Sequence, residues 1–228
     1  MQEGKTTSRD LTEACLARIE DEAGEGVRAF LSTDAEGAIA TADFMDARRR
    51  AGRAPSPYAG IPISLKDLFD VAGEVTAAGS TILRSSEPVT ADATCVARLR
   101  AAGFVFLGRT NMTEFAYSGV GVNPHYGTPK SVWDRAQGRI PGGSSSGAAV
   151  SVADGMAYMG LGTDTGGSCR VPAAFNGITG YKSSTGRVPK DGVFPLSDTL
   201  DTVGPLANSV QCCSTIDAMM AGDRTGSL

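Results

Sequence analysis

The strongest constraint on this chain lies between Pro141 and Pro172, where two glycine-serine turns flank one segment of small residues. The first turn reads Pro141-Gly142-Gly143-Ser144-Ser145-Ser146-Gly147-Ala148-Ala149-Val150. The second reads Gly162-Thr163-Asp164-Thr165-Gly166-Gly167-Ser168-Cys169-Arg170-Val171-Pro172. Paired glycines let a backbone approach a ligand closely and turn consecutive N–H groups outward. Ala148, Ala149, Ser151 and Ala153 make the span after the first turn narrow enough for close helix packing, which suits a central position. A serine that closes such a turn is either a hydrogen-bonding residue or a nucleophile.

The flanking sequence supplies alternating helices and strands. Ser8 fits an N-cap, with Asp10 and Glu13 in the first turn and Leu11, Ala14, Cys15 and Ile19 on one face; Gly24 and Gly26 end that helix. A second helix is expected from Asp34, burying Ala35, Ala38, Ile39, Ala42 and Met45, with Arg48-Arg49-Arg50 as a solvated last turn. Residues 61–69 read as a short buried strand with Lys66 in its middle. Residues 93–102 read as a helix with Val96 and Leu99 inward, and 104–108 as a second buried strand. Asn111 is expected to cap a short helix through Ala116. Residues 156–162 read as a strand ending at Thr163-Asp164-Thr165, and 210–220 as a final helix. This order points to an α/β fold.

Composition narrows the function classes. With 228 residues, 41% hydrophobic and 20% charged, the chain suits one globular domain. A net charge of −4 without a basic stripe argues against nucleic acid or anionic membrane as the main partner. Five scattered cysteines without a Cys-x-x-Cys spacing fit a reduced, cytoplasmic setting, as does a start, Met1 to Lys5, that lacks the apolar core of a secretory signal. No apolar stretch is long enough to span a membrane. The single histidine, His125, rules out a site built from several histidines and sits in a turn-like Asn123-Pro124-His125-Tyr126-Gly127. No cofactor or metal is expected.

If Ser168 is a nucleophile, its base must come from elsewhere. Lys66 is a candidate, because burial beside Ile63, Leu65 and Leu68 would lower its pKa toward neutrality. Taken alone, it reads first as a lysine snorkelling from a strand end. Ser144, Ser145 and Ser146 offer hydroxyls to relay a proton between the two. The N–H groups of Thr165, Gly166, Gly167 and Ser168 could form an oxyanion site, each such donor lowering an acyl-transfer barrier by about 3 kcal/mol. Two other readings stay open from the residues alone: ordinary loop filling and phosphate binding. Against the latter, no Gly-Lys-Ser/Thr follows the glycines, and no Gly-x-Gly-x-x-Gly fingerprint follows a strand with an acidic residue at the proper distance.

The Gly-Gly-Ser-Ser-Ser-Gly run, the Gly-Thr-Asp-Thr-Gly-Gly-Ser-Cys-Arg-Val-Pro-Ala run and Ile63-Ser64-Leu65-Lys66-Asp67 together resemble the amidase signature family in order and spacing. The resemblance runs from about Thr6 past Leu200-Asp201-Thr202-Val203-Gly204-Pro205. It implies a mixed central sheet flanked by helices and a Ser–Ser–Lys triad: Ser168 as nucleophile, Ser144 as bridging serine after a cis peptide, and Lys66 as base. Ser145 would support the network, and Asp164 and Arg170 would hold the nucleophile loop. The implied pathway passes through an acyl-enzyme that water hydrolyses. Three departures stand out. Ser146 replaces a glycine common in the first motif. Lys182-Ser183 replaces the usual Lys-Pro, read here as touching a turn and not the chemistry. The chain is also about half the length of similar family members, so it is expected to be the front portion of one amidase-signature domain over 1–228, truncated on its C-terminal side.

The leading expectation is hydrolysis of a small carboxamide to carboxylate and ammonia. The runner-up is a glutamine amidase like the glutamine-using subunit of glutamyl-tRNA(Gln) amidotransferase, which would require partner subunits. Val171 stands where that branch tends to carry glutamine, and Val193-Phe194-Pro195-Leu196-Ser197 resembles general amidases more. A third reading is an inactive truncated fragment. The resemblance also allows a homodimer.

Overall fold

A computed structural model describes residue 1 and residues 4–223; Gln2 and Glu3, within the N-terminal stretch read as lacking a signal, and residues 224–228 lie outside the described residues. The helices are α1 (Ser8–Glu20), α2 (Gly26–Ala29), α3 (Ala35–Arg50), α4 (Thr94–Ala101), α5 (Ser146–Ala153), α6 (Arg170–Asn176) and α7 (Val210–Ala221). The strands are β1 (Phe30–Thr33), β2 (Pro62–Lys66), β3 (Val105–Thr110), β4 (Met159–Asp164), β5 (Thr179–Gly180) and β6 (Thr202–Ala207). They form one mixed sheet in the order β1-β3-β2-β4-β6-β5. The middle pairs, β3 with β2 and β2 with β4, are parallel; the outer pairs are antiparallel.

Strand alternation divides the core between the two faces of the sheet. Ile63 and Leu65 of β2 and Met159 and Leu161 of β4 pack with Val96 and Leu99 of α4 and Cys213, Ile216 and Met220 of α7. Val105 and Leu107 of β3 pack with Cys15, Leu16 and Ile19 of α1, Ala38 and Ala42 of α3, and Val150 of α5. Helices on both faces of this mixed sheet give a three-layer arrangement. The small-residue helix α5 is central as expected, buried from Ser146 to Val152. Its entry needs glycine: a Cβ on Gly147 would run into the Ala29 carbonyl oxygen and lie 2.6 Å from the Asn111 nitrogen.

Several local expectations hold and others shift. Asp34 caps α3 by accepting from the Gly37 N–H, and Arg48, Arg49 and Arg50 fill its last turn. The cap of α1 is Thr7, in a capping box with Asp10, and not Ser8. Ser8 is instead buried, its N–H donating to Asp46 and its Oγ to the Gly60 carbonyl. Asn111 caps no helix; its amide donates to the carbonyls of Arg28 and Gly127, and only a 3-10 turn at Glu114–Ala116 follows. The strand read over 61–69 is shorter, because Asp67 turns away after Lys66. Helices α2 and α6 and strands β1, β5 and β6 were not read from the sequence. In β6, Gly204 and Pro205 break the strand pattern, yet Pro205 pairs with Leu161 and its carbonyl accepts from the Tyr181 N–H. Among the described residues no helix is long and apolar enough to cross a membrane.

Candidate active site

Lys66 is the last residue of β2 and is fully buried. Alternation sends Ser64 and Lys66 to the opposite face from Ile63 and Leu65. Ser64 Oγ meets Ser151 Oγ of α5 at 2.9 Å, so this face of β2 looks toward the small-residue helix. Lys66 does not snorkel. Its Nζ reaches Ser144 Oγ at 2.7 Å and Thr163 Oγ1 at 2.9 Å. Burial lowers its pKa to about 7, outweighing the attraction of the Asp164 and Asp201 carboxylates.

Ser144 is fully buried ahead of α5, and the Gly143–Ser144 peptide is cis. The surrounding backbone is pinned on both sides: the Gly143 N–H donates to the Gly119 carbonyl, and the Ser144 carbonyl accepts from the Thr113 N–H. The Ser145 N–H donates to the Ser168 carbonyl at 3.2 Å, which brings the two glycine-serine turns together. Ser145 Oγ donates to the Thr163 carbonyl at 3.4 Å. Ser146 Oγ turns away to the Asn111 carbonyl.

The second turn runs from the end of β4 into α6 and winds around Asp164. That buried carboxylate accepts from the N–H groups of Gly167, Cys169 and Arg170 and from a two-pronged Arg170 guanidinium, both prongs at 3.0 Å. Burial pushes the Asp164 carboxyl up, but the Arg170 and backbone hydrogen bonds more than offset this and hold it below the usual carboxylate range. Lys182, following β5, donates to the carbonyls of Asp164, Thr165 and Leu200 and to Thr202 Oγ1. Lys182 therefore holds the turn from Asp164 to Ser168. Ser183 beside it donates to the Val203 carbonyl and to Asp217.

Ser168 is 8% exposed and its hydroxyl makes no hydrogen bond among the described residues. With Thr165, Gly166 and Gly167 it lines a cleft of about 320 Å³, completed by Tyr117 and Leu196. Of the four N–H groups read as an oxyanion site, that of Gly167 is already given to Asp164 Oδ1 at 2.8 Å. Those of Thr165, Gly166 and Ser168 meet no acceptor among the described residues.

Lys66 and Ser144 are thus joined directly. Ser168 is joined to them through the backbone of Ser145, while Asp164 and Arg170 brace the loop. His125 lies apart, paired with Glu114. Cys169, next to Ser168, is buried, and burial raises its thiol to about 12. All five cysteines are free. Among the described residues no cluster of His, Cys, Asp or Glu is arranged to hold a metal ion. Three residues that pack into the site were not read as part of it from the sequence: Thr163, Lys182 and Asp201, which accepts from Thr165 Oγ1 and from the N–H groups of Leu196 and Ser197. The only signal was their place in short polar runs within motifs otherwise assigned.

The chain as a whole has relatives among known proteins. The family described as Amidase matches residues 10–227. The chain is 44% identical over 221 residues to AtzE of Pseudomonas sp. (strain ADP), one of the subunits of 1-carboxybiuret hydrolase, covering 96% of this chain and 48% of that protein. It is 46% identical over 222 residues to a glutamyl-tRNA(Gln) amidotransferase subunit of Roseiflexus sp. (strain RS-1), covering 97% and 45%. The structure of native peptide amidase from Stenotrophomonas maltophilia superposes with a TM-score of 0.87 at 38% identity, covering 99% of this chain and 47% of that one. The chain spans about half the length of the curated relatives it matches.

Proposed function

Because the chain belongs to the amidase family, we propose that it hydrolyses a small carboxamide through a Ser168–Ser144–Lys66 relay. The observation that carries this reading is the 2.7 Å contact between Ser144 Oγ and a buried lysine whose pKa falls to about 7. A lysine that loses its proton near neutrality presents a lone pair, which an ordinary surface lysine does not.

In the first step the Lys66 lone pair takes the Ser144 hydroxyl proton while Ser144 Oγ takes the proton of Ser168. Ser168 Oγ bonds to the carbonyl carbon, and the carbonyl π pair moves onto oxygen. This requires Ser168 Oγ to turn toward Ser144, a rotation that unliganded sites commonly leave to substrate binding. The N–H groups of Thr165, Gly166 and Ser168 are the donors for the oxyanion, each worth about 3 kcal/mol in the transition state. On collapse the carbon–nitrogen bond breaks, the leaving nitrogen takes a proton from Ser144, and Lys66 returns its proton to Ser144. Ammonia departs and leaves an acyl ester on Ser168. Water then repeats the sequence and releases the carboxylate. Asp164 and Arg170 keep the nucleophile loop in place.

The test is ammonia release from a series of short aliphatic and aromatic carboxamides. Turnover is expected from the wild-type chain and none from Ser168→Ala; undiminished turnover in the variant would overturn the assignment. A second reading, a glutamine amidase working with partner subunits, is favoured by the similarity to the Roseiflexus tRNA amidotransferase. Val171 and the Val193–Ser197 run count against it. Ammonia released from L-glutamine only in the presence of a tRNA-binding partner would select it. A chain that releases ammonia from no amide would instead support the inactive-fragment reading.

A further inference from the structure

We propose that Lys182 is a positioning residue of this same site: it orients and polarises the two peptide groups whose N–H bonds serve the oxyanion. The inference rests on the amidase reading above. Lys182 is distant in sequence from the nucleophile turn, and its side chain is about three-quarters buried beneath it. Its Nζ shares its protons among the Asp164 carbonyl, the Thr165 carbonyl at 3.3 Å, the Leu200 carbonyl at 2.9 Å and Thr202 Oγ1 at 3.3 Å. The Asp164 carboxylate stands 3.7 Å away.

The direction of these contacts matters. In a planar trans peptide the N–H points opposite to the C=O, and the only cis peptide in the described residues is Gly143–Ser144. The Asp164 carbonyl shares its peptide plane with the Thr165 N–H, and the Thr165 carbonyl with the Gly166 N–H. A cation that draws both carbonyls toward itself therefore turns both N–H groups away from itself. Thr165 and Gly166 line the Ser168 cleft, and neither N–H meets an acceptor among the described residues. Thr202 Oγ1 adds a second donor to the Asp164 carbonyl at 2.8 Å. Charge at the carbonyl end also polarises each peptide, which strengthens its N–H as a donor. Lys182 thus acts through the backbone and touches neither the substrate nor Ser168.

The test is labelling of the 228-residue chain at Ser168 by an alkyl fluorophosphonate, located by mass spectrometry, with kinact and KI measured separately. Phosphonylation builds negative charge on an oxygen in the transition state, so oxyanion donors act on kinact and not on KI. Lys182→Met is expected to lower kinact about 100-fold, the scale of losing one oxyanion donor, with KI unchanged to within about threefold. The midpoint of the kinact–pH curve is expected to stay where it is, because Lys66 and Ser144 are untouched. Lys182→Arg keeps a cation that can reach the same carbonyls and is expected to recover kinact to within about tenfold. Should the methionine variant not fold, Lys182→Gln keeps N–H donors without the charge, and an intermediate kinact is expected. Wild-type kinact in either neutral variant overturns the assignment, as does an arginine variant that melts like the wild type yet labels as slowly as the methionine one. A wild-type chain that does not label at Ser168 overturns the amidase reading itself, and this inference with it.

Discussion

Replacing Lys66 by methionine should make the folded chain more stable at neutral pH and remove a characteristic pH dependence. The folded pKa is about 7, against an ordinary 10.5. Between those values the unfolded chain binds a proton at Lys66 and the folded chain does not. Stability rises with pH wherever the unfolded state binds more protons. Lys66 therefore contributes a positive slope of about 1.4 kcal/mol per pH unit from about pH 7 to about pH 10.5, and no slope outside that window. Below pH 7 the full penalty of the buried charge is present; above the upper limit it has vanished. Lys66→Met has no such titration. Urea unfolding of both proteins at about pH 7.5 and about pH 9.5 gives the comparison, since the other titrating groups cancel in the double difference. The wild type is expected to gain about 3 kcal/mol on the variant between these pH values. Parallel stability–pH lines would mean that Lys66 keeps its proton in the folded chain, and the relay would then lack its base at neutral pH.

Two further outcomes follow from the same structure. If Lys66 acts as the base, kcat/KM for amide hydrolysis rises with pH through a midpoint near the folded pKa of about 7; a flat profile between about pH 5 and pH 9 would refute the assignment. Gly147→Ala places a methyl group against the backbone of Ala29 and Asn111, which cannot yield as a flexible side chain can. A loss of about 3 kcal/mol is expected in urea unfolding, together with slower Ser168 labelling as the first turn of α5 shifts; wild-type stability would show that the helix entry relaxes freely.

Much of the site was legible because glycine, serine and lysine are restricted in what they do locally. The Gly-Gly-Ser runs read as tight turns, whereas Lys66 amid Ile63, Leu65 and Leu68 read by itself as a snorkelling lysine and stood out only beside the serine runs. The helices with a capping residue or an apolar stripe were legible for the same local reason, although the cap of α1 moved by one residue to Thr7. Strands β1, β5 and β6 were not, because they are short or interrupted and are defined by their partners rather than by their own pattern.

The sequence by itself determined which residues could supply a nucleophile, a relay and a base, since those roles require particular side chains within particular turns. Tertiary structure decided which of them meet. It buried Lys66 completely and turned it toward Ser144 and Thr163, although a strand-end lysine is free to snorkel. It committed the Gly167 N–H to Asp164 and left its neighbours open. It also brought Lys182 against the turn that carries Ser168. The physical reason is that desolvation and hydrogen-bond direction depend on what packs against a group, and here those neighbours lie many residues away along the chain.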